Sequence, residues 1–99
     1  MNWRLAYYDY VKQDVREAKN WYFKQQPGLE KRFAEDVKQT LDRMKLNPRH
    51  YEIKYRNVRT ALCHTFPYAI HFYINEIAGE LVIIAIVHQH RDPDFAQDR

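Results

Sequence analysis

Cysteine occurs once in these 99 residues, at Cys63, and that scarcity excludes two classes at the outset. One thiol cannot build a disulfide framework within the chain, nor a cysteine-rich zinc site. The chain suits a reducing compartment, and Cys63, inside an apolar run, reads as a small buried filler rather than a nucleophile. Long apolar runs are also missing. The longest, Leu81 to Val87, falls far short of the ~20 residues a spanning helix needs. Met1 to Tyr10 has no apolar core of a signal peptide. The expectation is a soluble, cytosolic protein with no membrane partner. No P-loop, dinucleotide fingerprint or nucleophile elbow is present, and no cofactor is expected. Repeats, low-complexity stretches and linkers are absent too, so residues 1–99 are expected to form a single domain.

What is present is apolar and aromatic. Hydrophobic residues make up 45% and aromatics 15%, which sets the chain apart from disordered tails. Eight tyrosines and two tryptophans exceed what a core of this size must hold. Some belong at the core's edge or at an interface, where an apolar ring with a polar rim does well. The net charge of +3 suits an acidic partner or a nucleic-acid surface without specifying either.

Trp3 to Tyr8 is short, aromatic and free of breakers, and predicts a first strand. Asp9 stands where a helix N-cap belongs. Behind it Val11, Val15, Ala18 and Tyr22 recur at helical spacing. Pro27-Gly28 breaks the helix, and a second pattern follows at once through Leu29, Phe33, Val37, Leu41 and Met44. It stops near Asn47-Pro48, because proline disfavours helix in the residue before it. The short link predicts an antiparallel helical hairpin. From Tyr55 the period changes to two. Tyr55 to His64, Tyr68 to Ile74 and Leu81 to His88 predict three strands, the last apolar on both faces and therefore central. The fold class is α+β, in the order β-α-α-β-β-β, with the helical hairpin on one face of an antiparallel sheet that the first strand joins.

Alternation then divides the sheet. Val58, Leu62, Ile70, Phe72, Ile83, Ala85 and Val87 are expected to face the helices. Arg59, His71, Tyr73, Ile84, Ile86 and His88 fall on the other face, where adjacent isoleucines beside a cation suggest a groove for a partner. An RNA-cleaving site needs a base, an acid and cations around the phosphate. Arg59, His64, His71, Tyr73, His88, His90 and Arg91 supply those group types, although each histidine taken singly also suits a structural or surface role. His88-Gln89-His90 puts two imidazoles on one strand face, too few for zinc without a third ligand, so no metal is expected.

The pattern of Ala18-x-x-Trp21-Tyr22, Pro27-Gly28-Leu29, Phe33, Asn47-Pro48, Val58-Arg59, Phe66-Pro67-Tyr68, Ile70, Ala85-x-x-His88 and Arg91-Asp92-Pro93 resembles the ParE/RelE superfamily of bacterial toxins. The resemblance implies a toxin of a type II toxin–antitoxin module, neutralised by a cognate antitoxin that wraps it. It implies contact with promoter DNA only through that antitoxin. RelE-like members cut mRNA on the ribosome, which would place Arg59, His88, His90 and Arg91 in a catalytic role. ParE-like members poison DNA gyrase without such groups. Arg59 and the terminal His-x-x-Arg occur in both branches. No tyrosine follows Arg91, only Phe95, so the ParE-like branch is favoured. The antitoxin is expected on Arg59, His71, Tyr73, Ile84 and Ile86. An inactive interaction domain is the remaining alternative.

Overall fold

In the computed structural model, which describes residues 2–90, a five-stranded sheet carries two helices on one face. The elements are β1 (Arg4–Tyr7), α1 (Asp9–Gln25), α2 (Leu29–Leu46), a 3₁₀ turn (Pro48–His50), β2 (Ile53–Tyr55), β3 (Val58–Leu62), β4 (Tyr68–Asn75) and β5 (Glu80–His88). The sheet order is β1-β5-β4-β3-β2. β2 to β5 pair antiparallel, whereas β1 lies parallel to β5 at the edge. The sheet is therefore mixed. It also has one strand more than alternation predicted: Arg56 at φ 49° turns the chain, so Tyr55 closes a short β2 that begins at Ile53, and the expected run from Tyr55 to His64 narrows to β3.

α1 begins one residue earlier than a capping Asp9 requires. Tyr8 holds the N-cap position without a side-chain bond, and Asp9 is the first helical residue. There its carboxylate still opposes the helix dipole. Gly28, at φ 103°, takes the left-handed turn that opens α2, and its N–H donates to Glu30 at 2.6 Å. α2 ends at Leu46, just before Asn47-Pro48.

The main core lies between the hairpin and the sheet. Val11, Ala18 and Tyr22 from α1 and Phe33, Val37 and Met44 from α2 pack on Ala61, Tyr68, Ile70, Phe72, Leu81, Ile83 and Ile86. Phe33 is fully buried, its ring centroid 4.8 Å from Tyr68 and 5.3 Å from Tyr22. A buried carboxylate, that of Asp36, ties α2 to the loop between β3 and β4. It accepts the backbone N–H groups of His64, Thr65 and Phe66 at 3.2, 3.0 and 2.7 Å.

The far face of the sheet is a second, smaller core. Val58, Val82, Ile84, Ala85 and Val87 are buried together, with Ala6, Tyr8, Tyr55 and Tyr73 packed around them. Val58, Ala85 and Val87 thus lie opposite the helices, reversing their expected side. Leu62 shares that reversal, whereas Ile86, Arg59 and His88 turn to the helix side. The physical reason in β5 is a bulge. His71 pairs with Ala85 and Phe72 with Ile83, which leaves Ile84 as an extra residue. An extra residue shifts the parity of everything after it, so Ile84 and Ile86 point to opposite faces. In β3, Arg59 pairs with Phe72 and Ala61 with Ile70, both on the helix side. Small Ala61 fills the space under the helices, and Leu62 is exposed.

Candidate functional site

The candidate residues do not converge on one site. Arg59 is held by backbone. Its guanidinium donates to the carbonyl of Tyr51 at 2.6 Å and to that of Arg49 at 3.2 Å, pinning the 3₁₀ turn against β3. Arg49 in turn pairs with Glu76 and lies over the Trp3 ring, 5.3 Å from its centroid. His88 sits at the far end of β5, opposite Tyr68, with ring centroids 5.4 Å apart. Its Nδ1 accepts the backbone N–H of His90 at 3.1 Å.

The register fixes the separation of these groups. Arg59 pairs with Phe72 and His88 with Tyr68, on opposite sides of β4. That places them about 13 Å apart along the sheet and about 10 Å across it, hence about 16 Å apart at the backbone. With the Arg59 guanidinium turned to two backbone carbonyls and His88 beside Tyr68, the two side chains are not brought together. Arg91 lies outside the described residues, so its place beside His88 and His90 is not part of this geometry.

His71 and Tyr73 do share the far face with Ile84, as alternation along β4 requires. His71 is buried, and its Nδ1 lies 3.0 Å from the Tyr55 hydroxyl. Burial raises the Tyr55 phenol above its ordinary pKa, and a hydrogen bond with Tyr73 does the same for Tyr8. Ile84 is only 5% exposed, so the expected open isoleucine pair does not exist. Cys63 is buried, and that burial raises its thiol pKa, which suits a filler and not a nucleophile. Among the described residues no group of three or more His, Cys, Asp or Glu is placed to hold a metal ion. No helix among them is long and apolar enough to cross a membrane.

A concave apolar surface lies on the helix side. A groove of about 430 Å³ is lined by Val11 and Val15 of α1, Val37 and Leu41 of α2, and Ile86 of β5. Tyr7, Lys12 and Arg16 complete it. Four of its lining residues were legible in sequence, since Val11, Val15, Val37 and Leu41 belong to the two apolar stripes. Asp36 left a signal as well, a carboxylate one turn from Phe33 on the face that packs inward.

The family profile described as the ParE toxin of type II toxin-antitoxin system, parDE, matches residues 5–93. The chain belongs to the ParE toxin family. Solved structures agree on the fold. The chromosomal ParDE toxin–antitoxin system of P. aeruginosa superposes with a TM-score of 0.76 at 14% identity, covering 88% of this chain and 96% of that one. A mutant of the E. coli toxin RelE, in complex with a peptide of the antitoxin RelBc, superposes at 0.68 with 10% identity. That match covers 100% of this chain and 96% of the RelE chain. No curated protein sequence is significantly similar. The ParE-type chain is accordingly a type II toxin of the ParE/RelE fold.

Proposed function

We propose that this ParE-family chain arrests growth by binding its target rather than by cutting RNA, that DNA gyrase is that target, and that a cognate antitoxin holds it inactive. The observation that carries the non-enzymatic reading is the separation of Arg59 from His88, with Arg59 occupied by two backbone carbonyls. General acid–base cleavage needs its groups within hydrogen-bond reach of one phosphate. The RelE relative bound to an antitoxin peptide supports a protein partner for this chain. Promoter DNA is reached through that partner.

Two assays on the purified chain separate the readings. Added to gyrase, it is expected to block supercoiling or trap cleaved DNA. Added to translating ribosomes, it is expected to leave mRNA intact. Cleavage on the ribosome that is lost in His88→Ala and His90→Ala, with gyrase unaffected, would establish the ribonuclease reading. Inertness in both assays, together with normal growth on expression, would establish a degenerate domain.

A further inference from the structure

Among the described residues, Arg56 alone outside the glycines holds a positive φ, at 49°. It opens the two-residue turn that joins β2 to β3, where Tyr55 pairs with Val58. A tight hairpin turn of that hand ordinarily takes glycine, asparagine or aspartate, because a Cβ in the left-handed region crowds the following carbonyl. Asn57, which tolerates that region, stands next in the chain, yet arginine takes the strained position. Other cations, Lys19, Lys31 and Lys45 among them, are also exposed and in no salt bridge among the described residues. Arg56 differs from them in its backbone. It also differs from Arg49 and Arg59, whose guanidinium groups tie the 3₁₀ turn to the sheet. Backbone strain of this kind clusters where function holds it in place.

We propose that Arg56 is a target-contact residue, whose guanidinium pairs with a phosphodiester of the DNA that the target holds. The assignment rests on the reading of gyrase as that target. The surroundings of the turn narrow the partner to a phosphate. Lys54 and Asn57 beside Arg56 are polar and exposed, whereas Val58 is buried and Tyr55 is bonded to His71. Ile53, at the start of β2, pairs with Arg59 and so belongs to the helix side. The tip of the turn therefore offers no apolar anchor of the kind that centres a protein–protein contact. A phosphate needs none: cations and amide donors are its usual partners. A hairpin tip also projects further than a side chain lying flat on a strand, which suits reaching into a crowded assembly.

The test compares the parent with Arg56→Gly and Arg56→Lys, each as the full chain. Glycine relieves the strain and removes the charge, and lysine keeps both. Arg56→Gly is expected to melt about 2–5 °C above the parent, yet to inhibit gyrase roughly tenfold more weakly. Arg56→Lys is expected to melt with the parent and to stay within about threefold of its potency. In fluorescence anisotropy, Arg56→Gly should bind gyrase carrying a DNA duplex more weakly than the parent does, and DNA-free gyrase equally well. The difference should shrink as salt rises from about 50 to about 200 mM. A deficit that persists on DNA-free gyrase would place a protein carboxylate opposite Arg56 and overturn the proposal. Melting of Arg56→Gly below the parent would remove the strain on which the proposal stands. A potent parent matched by Arg56→Gly would overturn this contact alone, whereas a parent inert toward gyrase would overturn the gyrase reading with it, so the two failures are distinguishable.

Discussion

Asp36 shows how much one side chain can organise. Its carboxylate gathers three consecutive backbone N–H groups, and so fixes the loop between β3 and β4 on α2. Asp36→Ala would strand those donors in a partly buried setting, and a loss of about 3 kcal/mol is expected in urea unfolding. Arg59 works in a similar way through two carbonyls. Arg59→Ala is expected to cost about 1.5–3 kcal/mol, the usual scale for hydrogen bonds from a charged group. If the growth-arrest phenotype weakens in that variant, it should do so in step with folded protein, which a circular dichroism melt beside the toxicity assay can establish. Alkaline pH addresses Cys63, Tyr7, Tyr8 and Tyr55, all raised in pKa in the folded chain. A raised acid keeps its proton in the folded state after the unfolded chain has lost it. Its contribution is therefore complete below the unfolded pKa and is lost as pH rises through the folded one. Stability should fall from about pH 9 upward, first through the thiol and then through the phenols. Cys63→Ala should remove the earliest part of that fall in a pH series of denaturation midpoints.

At the scale of elements, the helices were legible and the sheet faces were not. Val11, Val15, Ala18 and Tyr22, then Phe33, Val37, Leu41 and Met44, recur every three to four residues, and a helix offers no way to slip that phase. Phe33→Ala is expected to cost ~3–5 kcal/mol, since its ring contacts Tyr22, Phe66 and Tyr68 from within the core. Strands are less forgiving. β5 is apolar on both faces, so nothing in Leu81 to Val87 marks Ile84 as a bulge, and one undetected residue reverses Ala85, Ile86 and Val87. β2 was missed because Arg56, not a glycine, makes the turn before β3. The same uncertainty shaped the candidate site. His71, Tyr73 and Ile84 stay together, whereas Arg59 and Ile86 turn to the helix side. Since Ile84 is buried in the second core, Ile84→Asp should destabilise the isolated chain by about 4 kcal/mol, measured by chemical denaturation.

For the molecule as a whole, expression without a partner is expected to arrest growth, with rescue by the neighbouring gene. Normal growth at confirmed folded expression would count against an active toxin. The two sheet faces differ as well: one carries the helices and the main core, the other a second core that holds the strands together. Sheet order has a further consequence, this time in time rather than space. β5 is the last strand made, yet it lies between β1, the first, and β4. Until β5 has emerged, β1 has no partner strand and α1 lacks part of the surface it packs against. Contacts so distant in sequence form late and all together. A ribosome making this chain therefore carries an unassembled fragment until Glu80–His88 has emerged. The cell is exposed to the toxin only from that moment. An antitoxin already present has the entire elongation time in which to be waiting for it.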